Sequence, residues 1–298
     1  MRISTTWQHQ VSVTQMLNQQ SKLTDTQLKM ASGKKYLTPS ENPQAAASLI
    51  DFNQRIKVYQ QYQDNISTVR QRLDQENSSL DGSIEVIMQI RDLALQGFND
   101  INQDTNRQQI AGQIDQLKEQ LLTIANTQNP NGEYIFSGYA SDQQPFDSSY
   151  AYQGDEQRSL AIGPARTMAD GDKGDEVFGA AVASPVAGSI TNAFQAIAQL
   201  STDLKANTPN HASLTDLDNA LNLLSKTQVS VGSRLNTLDV QESLNEDYII
   251  DYKSMVSEIG DLDYAEAVSN FNLQQVALQA AQQAFSKVQN LSLFNYIS

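Results

Sequence analysis

Apolar residues recur at alternating steps of three and four along two long stretches of the chain. Between Leu49 and Ala94, ten of the 14 positions reached by this stepping are apolar, and between Leu214 and Ile259 eleven of 14 are apolar. Such spacing is typical of long helices that pack side by side through a coiled-coil-like seam. The positions expected along this seam are Leu49, Ile56, Leu73, Leu80, Leu221, Leu235, Ile249 and Val256.

The first long helix has a well-defined expected start. Asn42 can accept hydrogen bonds from the free N–H groups of a first turn, and Pro43 suits the first helical position because it lacks an N–H group. We predict one helix over residues 43–97, about 80 Å long at ~1.5 Å per residue. With the second stretch it forms a long antiparallel rod, to which we assign residues 43–130 and 189–260.

The middle of the chain has a different composition. Residues 130–190 hold eight of the 14 glycines and four of the seven prolines, which is typical of turns and short strands. The Asn131-Gly132 dipeptide predicts a hairpin near residues 131–139. We predict a small β-rich surface insert over residues 140–188 that folds separately and is dispensable for assembly. The predicted fold class is mainly α: a long coiled-coil-like rod formed by the N- and C-terminal halves, with this insert between them.

The two ends of the chain carry only weak apolar stripes. Helical segments are predicted over residues 1–42 and 261–298, but a helix with so weak an apolar face is poorly held in a monomer. We expect both ends to be disordered in the monomer and ordered in an assembly; frayed tails are the alternative. Gln275, Gln282 and Gln289 are expected to exchange amide hydrogen bonds with neighbouring chains. The expected assembly contacts are Ile3, Trp7, Val13, Met16, Leu23, Met30, Val268, Phe271, Leu278, Phe285, Leu291 and Phe294.

Composition narrows the classes of function. The 36 glutamines, about one residue in eight, make the chain polar without adding charge. With 34 acidic and 20 basic residues the net charge is −14, which repels phosphate backbones and anionic lipids. Nucleic-acid binding and membrane insertion are therefore not expected. No apolar run reaches the ~20 residues that span a bilayer, and Met1 to Gln20 lack the apolar core of a cleaved secretory signal.

Residues that usually carry catalysis or bind metals are scarce. Cysteine is absent, and only His9 and His211 are present, without zinc-binding spacing. Asp170 to Asp175 departs from a calcium loop, because Gly174 stands at the fifth position and Ala181 at the twelfth. No catalytic residue, cofactor site or metal site is predicted, and the chain is not expected to be an enzyme.

Two segments resemble the hinges of the bacterial flagellins and flagellar hook-associated proteins. Met30 to Lys35, followed by Pro39 to Ala47, is similar to the family's N-terminal hinge between a core helix and the rod. Asp263 to Ser269 is similar to the returning hinge, and Gly260 is expected to interrupt the second rod helix just before it. The hinge residues that this resemblance implies are Gly33, Pro39, Pro43, Gly260, Asp263 and Tyr264.

Three further segments look more like the hook–filament junction members of this family than like flagellin. They are Met1 to Thr5, Gly132 to Gly138 and Leu291 to Ile297. The resemblance implies a structural subunit that forms a ring joining the hook to the filament and is required for filament attachment and motility.

The resemblance also implies partners and a location. The partners are further copies of the chain, the hook-side junction protein, flagellin, an export chaperone that binds the C-terminal segment, and the flagellar type III export apparatus. The location is extracellular, at the hook–filament junction, reached without a cleaved Sec signal. Two alternatives stay open. One is flagellin itself, which polymerises into long filaments when seeded, and the other is an unrelated helical adaptor or enzyme that uses the insert as a binding head.

Overall fold

The computed structural model describes residues 2–99 and 104–297, without the side chains of residues 2–6, 8, 104 and 288–297. The described helices are α1 (Arg2–Ser32), α2 (Pro43–Gly97), α3 (Asp104–Ala125), α4 (Gly174–Val177), α5 (Ala193–Lys205), α6 (Ala212–Gly260) and α7 (Tyr264–Ile297). One antiparallel sheet contains β1 (Ser159–Gly163) and β2 (Arg166–Ala169). The predicted mainly α fold class is confirmed. Across the described residues, no helix has the length and apolar content needed to cross a bilayer.

Helix α2 begins and ends at the predicted residues. The Asn42 side chain accepts a hydrogen bond from the Ala45 amide at 3.0 Å, which caps the first turn. Pro43 is the first helical residue, and the helix continues to Gly97. Helix α6 ends at Gly260, where the resemblance implied an interruption.

The chain divides into two compact units. One, the terminal unit, contains Met1–Val58 and Tyr248–Ser298, and the other, the central unit, contains Tyr59–Asp247. The terminal unit therefore includes residues 43–58 and 248–260, which the sequence analysis assigned to the rod.

Helices α2 and α6 run antiparallel in one register through the central unit. Among the polar contacts that join them, three pairs share one register: Arg70–Asp239, Asp81–Gln228 and Arg91–Asp218. The steps between successive pairs, 11 residues and then ten, are the same along α2 as they are back along α6. Because both helices rise by ~1.5 Å per residue, equal steps keep the two in phase. Arg70, Arg91 and Gln228 are polar interruptions of the apolar seams, and each faces a polar partner on the other helix.

Four helices enclose the core of the central unit. Leu73 of α2, Leu121 of α3, Leu200 of α5 and Leu224 of α6 are all fully buried and belong to one contiguous hydrophobic cluster. Full burial of a leucine side chain stabilises the folded state by ~1.5–3 kcal/mol. The cluster is therefore the main source of stability in this unit.

The insert, residues 140–188, is not a separately folded projection, which corrects the sequence-based expectation. Its regular β structure is limited to the pair β1 and β2. Phe146 and Phe178 are buried in the same hydrophobic cluster as Leu73, and the Ile162 carbonyl accepts a hydrogen bond from Asn245 of α6 at 2.9 Å. The expectation failed because glycine and proline mark turns but do not show what the aromatic residues between them contact.

The hairpin predicted near residues 131–139 is short and consists of a tight turn closed by one antiparallel bridge. The Gly132 amide donates to the Asn129 carbonyl at 2.9 Å, and the Asn129 amide donates to the Glu133 carbonyl at 2.8 Å. The Asn129 side chain also accepts from the Glu133 amide at 3.0 Å. One bridge pairs Gln128 with Tyr134, and the Ile135 amide donates to the Thr127 carbonyl at 3.2 Å. No described strand continues from it.

Candidate assembly interface and hinge

Helices α1 and α7 pack against each other within the terminal unit. The half-buried apolar residues of the two helices that the sequence analysis had chosen are Val13, Met16, Leu23 and Met30 of α1 and Phe271, Leu278 and Phe285 of α7. The ring centroids of His9 and Phe285 lie 5.0 Å apart. The apolar stripes expected to contact neighbouring chains are thus partly covered within a single chain.

A polar side chain, Gln274, lies within this contact. Thr26 Oγ1 donates a hydrogen bond to Gln274 Oε1 at 2.9 Å, and Gln19 Nε2 donates to the Gln274 carbonyl oxygen at 3.5 Å. The sequence pattern had indicated Gln275 and Gln282 instead, both of which are exposed, and not Gln274. Their exposure leaves these two amides available to other chains.

Gln274 was not predicted because the apolar pattern of α7 fits two heptad phases. From the buried Ala267, steps of four and then three reach Phe271 and Gln274 on the covered face, whereas steps of three and then four from the exposed Val268 reach Phe271 and Gln275. Both choices pass through the same large apolar residues, so the apolar pattern alone could not separate them. Gln289, the third amide expected to bridge chains, lies outside the described side chains.

The outward faces of α1 and α7 carry exposed apolar side chains. Trp7 is 69% exposed and Val268 is 43% exposed, and both were predicted as assembly contacts. Four more, which the sequence analysis did not select, are Leu17, Leu28, Leu273 and Val276. Exposed apolar surface of this kind is typical of surfaces that contact other chains. Ile3, Leu291 and Phe294, also predicted as contacts, lie outside the described side chains.

Main-chain hydrogen bonds close the hinge between the ends of α1 and α6. The Gly33 carbonyl accepts from the Leu262 amide at 2.9 Å, and the Gly260 carbonyl accepts from the Lys35 amide at 2.8 Å. Gly33 has a φ of +70°, a left-handed conformation that glycine adopts without strain. A Cβ atom on Gly33 would lie 3.3 Å from the Tyr264 hydroxyl oxygen. The positive φ therefore favours glycine at this position of the predicted hinge, and the approach of Tyr264 adds to that preference.

The other predicted hinge residues lie at the adjoining helix ends. Asp263 Oδ1 accepts hydrogen bonds from the Ala265 and Glu266 amides at 2.9 and 3.2 Å, which caps α7. Pro43 begins α2, and Pro39 lies in the loop before it; both are exposed. Local capping thus fixes where each helix leaves the hinge.

Glu41 ties the loop between α1 and α2 back to α1. Its carboxylate accepts hydrogen bonds from the Leu37 and Thr38 amides at 3.0 and 3.2 Å and lies 2.6 Å from Lys29 Nζ. The hydrogen bond with Lys29 is the largest cause that lowers the pKa of Glu41, and the two backbone amides lower that pKa further. The loop is therefore held by an ionised carboxylate at neutral pH.

The eight predicted seam residues are all at least half-buried. The buried ones are Ile56, Leu73, Leu80 and Ile249, and the half-buried ones are Leu49, Leu221, Leu235 and Val256. On α6 of the central unit the fully buried apolar positions are Leu217, Leu224, Val231 and Leu238. Leu221 and Leu235 therefore flank the centre of the contact.

The described side chains offer packing and hydrogen bonding and no metal centre. No group of three or more His, Asp or Glu residues among them could hold an ion. Asp170, in the turn that departs from a calcium loop, lies 3.2 Å from Arg72 Nε and 2.5 Å from Arg158 Nη2. Its carboxylate is thus engaged by two guanidinium groups.

Two models of bacterial flagellin regions match the chain. Residues 3–141 match the bacterial flagellin N-terminal helical region, and residues 214–297 match the bacterial flagellin C-terminal helical region. Together they include α1 to α3, almost all of α6, and α7. Residues 142–213 lie outside both matches.

Similarity to individual proteins extends over nearly the whole chain. Flagellar hook-associated protein 3 of Escherichia coli (strain K12) is 30% identical over 99% of this chain and 99% of its own length. Flagellar hook associated protein-3 from Legionella pneumophila has a TM-score of 0.62 at 20% identity, covering 70% of this chain and 98% of that one. The flagellar junction protein FlgL from Legionella pneumophila has a TM-score of 0.57 at 20% identity, covering 72% and 99%. These two structures have the same fold as this chain.

Proposed function

Because this chain belongs to the flagellar hook-associated protein 3 family, we propose that it is a structural protein of the junction between the flagellar hook and the filament. It associates with components of both and lies in the flagellum. Its role is mechanical, since it supplies packing surfaces to an assembly, and filament attachment and motility depend on it.

The observation that carries this proposal is the similarity to the Escherichia coli protein over 99% of both chains. The terminal helices alone would suit flagellin equally well, because the two matching models describe regions of flagellin. The full-length similarity also includes residues 142–213, which those models leave out. A junction protein therefore fits the whole chain better than flagellin does.

We further propose that copies of the chain form a closed ring between the hook-side junction protein and the first layer of flagellin. The outward-facing Trp7, Leu273 and Val276 give neighbouring chains apolar surface to cover. The exposed Gln275 and Gln282 can exchange amide hydrogen bonds with those neighbours. Ring formation would bury surface that a single chain leaves in water.

The proposal also includes a route out of the cell. The flagellar type III export apparatus would export the chain, and an export chaperone would hold its C-terminal segment beforehand. Val268, Leu273 and Val276 on α7 offer such a chaperone an exposed apolar strip. The mature protein would then act outside the cell.

Deleting the gene in its source bacterium tests the junction role. The cells should build complete hooks without filaments and release flagellin into the medium as monomer. Expression of the intact chain from a plasmid should restore filaments and swimming. Filaments of normal length on the deletion cells would refute the proposal. Elongation of the purified chain into long filaments on filament fragments would instead indicate flagellin.

A further inference from the structure

A buried carboxyl group connects the insert to α2 in the central unit. Glu76 is fully buried, and its Oε1 atom accepts a hydrogen bond from the Asp172 amide at 3.1 Å. Its Oε2 atom is buried without a hydrogen-bond partner. Burying a charged oxygen without a partner is costly, so the ionised form of Glu76 is poorly accommodated here.

The charges around Glu76 are already paired with one another. The pairs are Arg72–Glu133, Arg72–Asp170, Arg158–Asp170 and Arg234–Asp172. Three guanidinium groups thus balance three carboxylates, and Glu76 is a fourth carboxyl group without a counterion of its own. Arg234, the cation that acts most on Glu76, is paired with Asp172, although its Nε atom is buried without a hydrogen-bond partner.

The surroundings of Glu76 favour its protonated form. Burial is the largest cause, and the negative charge of Asp172 from the insert adds to it, whereas Arg234 from α6 and the hydrogen bond from the Asp172 amide both lower the pKa. Together they raise the pKa of Glu76 to about 8. An exposed glutamate has a pKa of ~4.3.

We propose that Glu76 is a proton-dependent latch that holds residues 170–174 of the insert against α2. The neutral acid fits the buried position and receives the Asp172 amide. Loss of the proton leaves an unpaired negative charge beside the Asp172 carboxylate, which favours release of the segment. This latch belongs to the fold of the central unit and stands independently of the proposed junction role.

Release would break a defined set of main-chain hydrogen bonds. The Asp170 amide donates to the Arg158 carbonyl at 3.1 Å, and the Gly174 amide donates to the Phe136 carbonyl at 2.9 Å. The Asp172 amide lies between them in sequence and donates to the latch itself. Its exchange with solvent therefore reports directly on opening.

The sign of the pH effect follows from the two ionisation states. Glu76 has a pKa of about 8 when latched and returns to ~4.3 when released into water. Between these values the latched form binds the proton and the open form does not. Each rise of one pH unit in this interval should favour opening by about tenfold, and the effect should level off above the higher pKa.

Hydrogen exchange on the intact chain tests the latch. Protection of the Asp172 amide, corrected for the intrinsic pH dependence of exchange, should fall about tenfold per pH unit as the pH rises from ~5 to ~8. Glu76→Gln, which mimics the neutral acid, should abolish this slope. Glu85→Gln, at an exposed position on the same helix, should keep it. An unchanged slope in Glu76→Gln would overturn the proposal.

Direct titration of Glu76 supplies a measurement that needs no variant. The carboxyl carbon of Glu76, followed by carbon-13 NMR in the wild-type chain, should titrate with a midpoint above neutrality. A midpoint near the ordinary glutamate value would overturn the latch even if the exchange data were affected by other opening events.

Discussion

The amide of Leu262 donates a hydrogen bond of 2.9 Å to the carbonyl of Gly33, although the two residues lie near opposite ends of the chain. Beside it, the Tyr264 hydroxyl donates to the Met30 carbonyl at 3.0 Å. Both acceptors are main-chain carbonyls, so the geometry of the hinge depends on backbone conformation. A substitution that disturbs the backbone at this point should therefore affect assembly.

Gly33→Ala should weaken the hinge. Alanine is strained by ~1–2 kcal/mol in the left-handed conformation of Gly33, and its Cβ atom would crowd the Tyr264 hydroxyl. In cells that make only this variant, a larger share of hooks should lack filaments, as counted by electron microscopy.

Gly232→Ala is the matched control. Gly232 lies inside α6, and a Cβ atom there meets nothing within 4 Å, so alanine should stabilise the chain by ~0.5–1 kcal/mol and leave filaments intact. Equal filament counts for the two variants would contradict the assigned role of Gly33.

The terminal helices should exchange their amide hydrogens rapidly in the purified monomer. Among the described side chains of α1 and α7, Ala267 alone is buried, so little apolar area holds the pair together. Residues 1–40 and 265–298 should lose protection long before the middle of α2 or α6. Slow exchange from Phe271 to Phe285 in the monomer would show that the ends are ordered without partners.

Removing residues 265–298 should separate folding from assembly. The central unit has its own core and contains none of the removed residues, so its circular dichroism signal and thermal transition should persist. Cells carrying the truncated chain as their sole copy should build bare hooks and release flagellin into the medium. Full-length filaments on those cells would show that α7 is not part of the assembly interface.

A pair of leucines on α6 tests the centre of the helix contact. Leu224→Ala should lower the free energy of unfolding by ~2–5 kcal/mol, because Leu224 is fully buried. Leu221→Ala should cost clearly less, since that side chain is only half-buried. Urea denaturation of both variants gives the two values directly. A larger loss of unfolding free energy for Leu221→Ala than for Leu224→Ala would show that Leu224 does not lie at the centre of the contact.

Phe146→Ala should destabilise the chain by ~3–5 kcal/mol. The ring of Phe146 lies 5.1 Å from that of Phe194 and 5.7 Å from that of Phe178, and truncation would leave a cavity in the cluster. For the same reason, deleting residues 140–188 should unfold the central unit.

Tyr139→Ala provides the comparison for Phe146, because Tyr139 is 57% exposed and its truncation should change stability by ~0.5 kcal/mol or less. A deletion of residues 140–188 that folds and assembles normally would restore the original expectation of a dispensable insert.

The long helices could be predicted because their signal is repeated many times. Pro43 and the capping Asn42 fix the start of α2, and the stepping continues over some four dozen residues, so isolated polar positions do not hide it. On α7 two possible stripes share Phe271, Leu278 and Phe285, and the choice between Gln274 and Gln275 depended on the small Ala267. The packing of Phe146 could not be predicted, because its contacts join residues far apart in the sequence.

The equal steps between the polar pairs of α2 and α6 also restrict how the length of such a chain can change. One extra residue between Arg70 and Asp81 would rotate everything after it by about 100° and draw Arg91 away from Asp218. Only matched insertions in both helices, of about seven residues, would keep the two faces together. Insertions and deletions during evolution should therefore accumulate between residues 126 and 192, because no long helix there has to keep register with another helix.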